Sequence, residues 1–189
     1  LAALATWALT FADTYIMFSD LEGFGTMLDA GPASATVERI LDAVDAVTRG
    51  IAQEFGGTVR FNLGDSYCVT FTDAAQAVAG AERLTQSWEA IRQREQFGCT
   101  VSIALHRGTL YTFRSFLYGR DVWIASRLQN ASAKLLDSHE YGIFVTGAVR
   151  NALLGNPSHN RFQAVVLESP PAALAGLEVY RLRSEASHF

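Results

Sequence analysis

From residue 35 onward, the hydrophobic residues take up the spacing that is typical of a helix. Between residues 35 and 55 the apolar side chains recur every three or four positions, which predicts an amphipathic helix, and Gly56 and Gly57 follow as its stop signal. A second helix is predicted at residues 73–95, with Asp73 as its natural N-cap. Two more helices are expected at residues 120–136 and, shorter, at residues 147–153.

Short β-rich runs lie between these helices. Residues 14–20 lack a clean alternation of apolar and polar positions, which predicts a strand that is buried on both faces. Further strands are predicted at residues 58–71, as a hairpin around Leu63-Gly64-Asp65; at residues 99–113, as two strands around a turn near Gly108; and at residues 142–146, 162–169 and 177–183. Hairpins among helices predict an α+β fold, in which helices pack on a mixed, largely antiparallel sheet.

The length and composition predict one folded domain. The chain has 189 residues, of which 49% are apolar, enough for a single core. We assign the domain to residues 13–183, a tail to residues 184–189, and a helical lead-in from an upstream module to residues 1–12. The lead-in is too short to span a membrane and lacks a basic flank. A cytoplasmic location is expected, with any regulatory or membrane module lying outside this chain.

The net charge of the chain bears on whether it binds nucleic acid. The formal net charge is −4, whereas a protein that binds nucleic acid needs a basic face to displace counterions from phosphates. A nucleic-acid partner is therefore not expected.

The stretch YIMFSDLEGFG, residues 15–25, is the first candidate for chemistry. A predicted strand ends at Asp20, and two glycines and an aromatic residue follow at the start of the next helix. A carboxylate next to free backbone N–H groups suits a divalent cation that carries a phosphate. Taken alone, an aspartate in this position is more often a helix cap or a turn former.

Two later stretches add charged residues to this candidate. Asp65 lies in the predicted hairpin turn LGDSY, where aspartate is also an ordinary turn residue. In YGRDVWIASRLQ, residues 118–129, Gly119 permits a tight entry into a helix that places Trp123 and Arg127 on one face. Each feature has an ordinary structural explanation, so the argument for a site rests on the set and its order.

Four stretches together resemble the catalytic domain of class III nucleotidyl cyclases, the adenylyl and guanylyl cyclase family. FSDLEGF is similar to the first metal motif of that family, and GGTVRFNLGDSYCVTF to its hairpin with the second metal aspartate. VSIALHRG resembles the strand that ends in H-x-G, and YGRDVWIASRLQ resembles the family's arginine helix. The resemblance spans about residues 13–183 and implies a ferredoxin-like core.

The resemblance implies a reaction and a set of site residues. A nucleoside triphosphate would be converted into a 3′,5′-cyclic nucleotide and pyrophosphate with two divalent cations, Mg²⁺ or Mn²⁺. A homodimer is implied, because the family forms each site between two subunits. The matching positions are Asp20, Asp65 and the carbonyl of Leu21 for the metals; Gly23, Phe24 and Gly25 for the phosphates; and Arg127 for charge at the α-phosphate.

The sequence departs from the family at the base and at one catalytic position. Phe61 and Phe116 occupy the two base-reading positions, where aromatic rings can stack on a base but cannot read its hydrogen-bonding edge. Trp123 replaces the family's transition-state asparagine, and the usual C-terminal lysine has no counterpart. ATP is the default substrate, and a pyrimidine triphosphate is the open alternative. The alternative function is a weak or inactive cyclase-homology domain that binds nucleotide or dimerises to regulate an attached module.

Overall fold

An eight-stranded sheet organises the chain. The computed structural model describes residues 8–137 and 140–183, so residues 1–7 of the predicted lead-in and the predicted tail at 184–189 lie outside the described residues. The strands are β1 (Leu9–Glu22), β2 (Thr58–Leu63), β3 (Ser66–Phe71), β4 (Thr100–Phe113), β5 (Phe116–Tyr118), β6 (Gly142–Thr146), β7 (Phe162–Val165) and β8 (Val179–Leu182).

Five α-helices lie within the described residues and connect these strands. They are α1 (Phe24–Asp29), α2 (Ser34–Glu54), α3 (Ala74–Glu95), α4 (Arg120–Ala133) and α5 (Gly147–Ala152). Two short 3-10 turns, at Pro157–Arg161 and Ala172–Leu174, flank β7. The four predicted helices are confirmed, although α4 ends three residues before the expected position 136. Within the described part of the chain, no helix is both long and apolar enough to cross a membrane.

The sheet order confirms the predicted fold class. The strands lie in the order β2-β3-β1-β4-β6-β8-β7, and β5 pairs with the far half of β4. The β4–β6 pair is parallel, and the other pairs in the sheet are antiparallel. The first four strands and the helices α2 and α3 follow a β-α-β-β-α-β sequence with the spatial order β4-β1-β3-β2, which is the ferredoxin-like core.

Helices cover both faces of the sheet. Tyr15 and Met17 on β1 belong to the large core that α2 and α3 complete on one face. The alternate residues Ile16 and Phe18 belong to a smaller cluster with Ala125 of α4 on the opposite face. This alternation follows from the two-residue period of a strand. It confirms the predicted burial on both faces for Thr14 to Ser19, whereas Asp20 is half-buried.

The turn predicted near Gly108 is wrong. β4 runs without a break from Thr100 to Phe113, and the chain reverses only at Arg114 and Ser115 before β5. A Cβ atom at Gly108 would lie 2.3 Å from Cγ of Asp121, so the glycine at this position permits the close approach of α4. Glycine within a strand often has this function, and only the tertiary structure distinguishes it from a turn.

The helical lead-in is wrong for the residues that the structure describes. β1 begins at Leu9, where Leu9 to Phe11 pair with Leu110 to Thr112. Because β4 continues past Gly108, its far half offers backbone groups that these residues satisfy by extending the sheet. A β-bulge after Phe11, with Asp13 at φ 53°, joins this extension to the central part of β1.

The prediction that Asp73 is the N-cap of α3 can be tested by substitution. The Asp73 carboxylate accepts a hydrogen bond of 2.9 Å from the backbone N–H of Gln76. We expect Asp73→Ala to lower the free energy of unfolding by about 1 kcal/mol, because that N–H loses its partner. Urea denaturation followed by circular dichroism measures the change. Asp73→Asn keeps an acceptor and should cost less than about 0.5 kcal/mol, so equal losses in the two variants would contradict the capping role.

Candidate active site

Asp20 and Asp65 lie close together where β1 pairs with the β2–β3 hairpin. Asp65 occupies the two-residue turn between β2 and β3, as predicted, and its Oδ2 accepts a hydrogen bond of 3.1 Å from the backbone N–H of Leu21. The Ser66 hydroxyl donates to Oδ1 of Asp20. These two bonds cross between the strands in opposite directions, so each aspartate is held by the residue next to the other.

The environment of Asp65 changes the ionisation of its carboxyl group. Burial, and after it the negative charge of Asp20, raise the pKa of Asp65 from its usual 3.8 to about 6, against opposing hydrogen bonds from the backbone N–H groups of Asp65 and Leu21. The free energy of the site is therefore lowered by anything that neutralises this pair, whether a proton or a cation.

A third carboxylate, that of Glu22, lies on the same face of β1 as Asp20. Glu22 accepts a hydrogen bond of 2.6 Å from the Ser102 hydroxyl, and the Gln129 amide donates to Ser102 at 2.6 Å and to Glu22 at 3.3 Å. Burial raises the pKa of Glu22, the Ser102 bond opposes this, and the charge of Asp20 adds to it. The sequence reasoning missed this network. The two-residue spacing of Asp20 and Glu22 on a strand was the signal that could have placed Glu22 on this face.

A tight turn follows β1. Gly23 adopts φ 89°, a left-handed conformation that favours glycine, and its carbonyl accepts from the N–H of Met27 at 2.9 Å as α1 begins. Phe24 is buried in the core and fixes the turn, whereas a Cβ atom on Gly23 or Gly25 would meet no atom within 4 Å. The turn is thus anchored by Phe24 and open around both glycines.

Trp123 and Arg127 form a pair on α4. The Arg127 guanidinium carbon lies 4.2 Å from the centre of the Trp123 ring, in cation–π geometry. The Trp123 side chain is 54% exposed. Gly119 precedes α4 at φ 139°, and a Cβ atom there would lie 3.1 Å from the Thr109 carbonyl oxygen, which explains the tight entry that the sequence predicted.

The two aromatic residues at the base-reading positions have different environments. The Phe61 ring packs edge-on against Phe18, with 6.1 Å between centroids, beside the cluster under α4. Phe116 on β5 is 64% exposed. Phe61 is therefore part of the packing on that face, whereas Phe116 is available for contact with another molecule.

The structure brings the predicted residues together in two groups. The first group contains the two aspartates, Leu21 and the glycine turn, and the second contains Trp123 and Arg127. Among the described residues, Arg127 contacts the Trp123 ring and forms no ion pair with Asp20 or Asp65.

The first group fits divalent cations. Two neighbouring carboxylates, one with a raised pKa, and nearby main-chain oxygens are the hard ligands that Mg²⁺ and Mn²⁺ prefer. Within residues 8–137 and 140–183, no cluster of three or more histidine, cysteine or acidic side chains has the arrangement of a metal site. The donors that the first group offers are the two aspartate carboxylates and nearby backbone oxygens.

Comparison with solved structures confirms the fold expected from the resemblance. The chain is similar to the adenylyl cyclase CyaB from P. aeruginosa, with 18% identity over 97% of this chain and 99% of that chain and a TM-score of 0.74. It is similar to the catalytic core of a rhodopsin-guanylyl cyclase with converted specificity in complex with ATPαS, with 18% identity over 94% and 99% and a TM-score of 0.76.

A third neighbour is the adenylate/guanylate cyclase/hydrolase from Silicibacter pomeroyi, with 17% identity over 95% of this chain and all (100%) of that chain and a TM-score of 0.73. No protein-family model matches the chain, and no curated protein matches it in sequence. At these identities the comparison establishes that the chain has the fold of cyclase catalytic domains over nearly its whole length.

The raised pKa of Asp65 predicts a pH-dependent stability in the absence of divalent cations. The folded pKa of about 6 lies above the usual 3.8, so stability is fully present below about pH 4 and is lost as the pH rises through 6. We expect Asp65→Asn to increase the free energy of unfolding by about 1 kcal/mol at about pH 8, after allowance for solvent screening of the partly exposed carboxylate.

Urea denaturation with a chelator present measures this difference, which should vanish at about pH 4. A pH-independent effect of Asp65→Asn would show that the buried charge of Asp65, with its repulsion from Asp20, is not the cause. Asp42→Asn, an exposed aspartate on α2, is the matched control.

Proposed function

We propose that the chain is a nucleotidyl cyclase domain that converts a nucleoside triphosphate into a 3′,5′-cyclic nucleotide and pyrophosphate. The observation that carries this proposal is the aspartate pair, in which Asp20 and Asp65 are held side by side by Ser66 and the Leu21 amide. Clustered carboxylates repel, and without a catalytic use this arrangement is a cost to stability. The cyclase fold of the whole chain makes the cyclisation of a nucleotide the use that fits best.

The aspartate pair would hold two divalent cations. Asp20, Asp65 and the Leu21 carbonyl are the donors that we assign to Mg²⁺ or Mn²⁺. When bound, the cations would lower the pKa of the ribose 3′-hydroxyl and neutralise charge on the phosphates. The protein holds these donors in place through the two crossed hydrogen bonds between β1 and the hairpin.

The glycine turn would hold the triphosphate. Gly23 lies between β1 and α1, and Phe24 and Gly25 are the first two residues of α1, so their backbone N–H groups directly follow the aspartate strand. Backbone amides in a turn bind phosphate oxygens without adding a side chain that would have to be ordered. The left-handed Gly23 and the buried Phe24 keep this turn in one conformation, so the contact would be preorganised.

Arg127 would stabilise the negative charge that develops at the α-phosphate. Its planar guanidinium can bind two phosphate oxygens at once, and such a contact is strongest in the transition state. In the free protein the guanidinium lies on the Trp123 ring. Trp123 would thus orient Arg127 and place its own indole N–H near the reacting groups, in the position where the family has an asparagine.

We propose that two copies of the chain form each site. The aspartate pair and Arg127 form no ion pair with each other in one chain, and both Trp123, on the same helix as Arg127, and Phe116, on the neighbouring strand β5, are exposed. A symmetric dimer would place the aspartate pair of one copy opposite α4 of the other, twice. A fused regulatory or membrane module outside this chain is compatible with this arrangement.

The base would be held mainly by stacking. Phe116 offers an exposed ring on which the base would stack, whereas Phe61 is packed against Phe18 and would line one side of the base site. Aromatic rings stack on every base, so this arrangement discriminates weakly among bases by hydrogen bonding. ATP remains the default substrate, and a pyrimidine triphosphate is the alternative that the missing hydrogen-bonding side chains leave open.

One observation favours a second candidate function. The Trp123 ring already occupies one face of the Arg127 guanidinium, and Phe61 already fills space on the α4 side of the sheet. A domain with these contacts fixed would bind nucleotide weakly or only dimerise, and would regulate an attached module. This is the non-catalytic cyclase-homology domain that the sequence left as the alternative.

An activity assay separates the two functions. We expect the purified chain with Mn²⁺ to form a cyclic nucleotide from at least one of ATP, GTP, UTP and CTP, detected by mass spectrometry. Asp65→Ala should lower the rate by at least about a hundredfold, because the cation loses a ligand. Asp42→Ala, on the exposed side of α2, should leave the rate unchanged. If no product forms from any of the four triphosphates, the catalytic function is refuted and the non-catalytic function is the one that stands.

Mixing inactive variants tests whether the site is shared. Asp65→Ala and Arg127→Ala should each retain at most about a hundredth of the wild-type rate when assayed alone. After mixing and re-equilibration, about half of the dimers carry one variant of each kind and therefore one complete site, so activity should return to about a quarter of the wild-type value. A mixture that stays inactive while subunit exchange is verified by mass spectrometry would show that both groups act within one chain.

A further inference from the structure

His106 and Asp121 form a buried contact between β4 and the first turn of α4. The His106 ring is buried, and its Nε2 lies 3.3 Å from Oδ1 of Asp121, while its Nδ1 lies 3.0 Å from the Thr146 hydroxyl. The second carboxylate oxygen of Asp121 accepts a hydrogen bond of 2.7 Å from the backbone N–H of Thr109. Asp121 is thus attached to β4 through both oxygens.

The backbone is shaped to admit this carboxylate. A Cβ atom at Gly108 would lie 2.3 Å from Cγ and 2.4 Å from Oδ2 of Asp121, so the Asp121 side chain fills the space that a larger residue would take. Burial lowers the pKa of His106, with the bond to Asp121 opposing, so the ring is neutral at pH 7. A neutral ring that donates from Nε2 to Asp121 can accept from Thr146 at Nδ1, which satisfies both nitrogens.

A second polar contact fixes α4 two turns later. Gln129 is buried and donates to Ser102, which lies four residues before His106 on the same strand and therefore on the same face. Between the two contacts, Ala125 and Leu128 are fully buried against the sheet. The helix is therefore attached to β4 on either side of Arg127.

We propose that His106 and Asp121 are positioning residues that set the place of Arg127 and Trp123 for the cyclase reaction, a role that rests on the proposed function. They do not act on substrate, because the ring nitrogens and carboxylate oxygens are engaged within the protein. Asp121 lies two residues before Trp123 and six before Arg127, so a displaced first turn of α4 moves the pair directly.

Kinetics of Asp121 variants test the proposal. Asp121→Ala should lower kcat by about tenfold to a hundredfold, the effect of misplacing a catalytic group by about 1 Å, and leave KM within about twofold. Added to Arg127→Ala, the same change should lower the residual rate by less than about twofold, because the group that it positions is already gone. Asp121→Asn retains one acceptor oxygen and should lose less activity than Asp121→Ala.

A readout independent of activity accompanies the kinetics. Amide hydrogen exchange of residues 120–127 should rise by at least about tenfold in Asp121→Ala and by less in Asp121→Asn, with α2 unchanged, because only the first turns of α4 lose their attachment. Asp42→Asn, on α2, should change neither measurement.

The outcomes separate this inference from the function it rests on. An Asp121→Ala loss that is fully additive with Arg127→Ala, an unchanged kcat, or exchange that rises throughout the chain would overturn the positioning role. If the wild-type chain makes no product from any triphosphate, the proposed function fails. The positioning role in catalysis then fails with it, and faster exchange confined to α4 would show that the pair only anchors the helix.

Discussion

The antiparallel pairing of β1 with β4 is the constraint on which the rest of the structure depends. The two strands pair from Leu9 opposite Thr112 to Glu22 opposite Thr100, and both are buried on both faces over their central parts. Because the register of a strand decides which side chains face which layer, this pairing sets Asp20 and Glu22 on the same face as Ser102. A shift of one residue would turn Asp20 into the core beneath α2 and α3.

At the end of the β1–β4 pairing, electrostatics and packing have opposite effects on stability. Packing needs β1 to be buried, whereas Asp20, Glu22 and Asp65 are carboxylates whose charges disfavour burial and one another. The structure reduces this cost with local hydrogen bonds from Ser66, Leu21 and Ser102. Residual strain of this kind is common at functional sites, where a ligand relieves it.

The sequence was informative where a local rule decides the structure and uninformative where a distant contact does. Asp73 as an N-cap and Asp65 in its turn follow from short-range backbone geometry, and both were predicted. The turn predicted near Gly108 was wrong because a glycine that permits the approach of α4 looks the same in sequence as a glycine in a turn. The buried pairing of His106 with Asp121 joins residues fifteen positions apart, which no periodicity reveals.

The two groups of candidate site residues differ in how they depend on the fold. The aspartate pair and the glycine turn are fixed by strand register and by the buried Phe24, so they are preorganised within one chain. Arg127 and Trp123 depend instead on where α4 lies, and α4 is attached to the sheet by polar contacts as well as by packing. Hydrogen bonds define orientation more narrowly than apolar contacts do, since they are directional. The polar attachments of α4 therefore define the position of the arginine, while the hydrophobic core supplies the stability of the helix on the sheet.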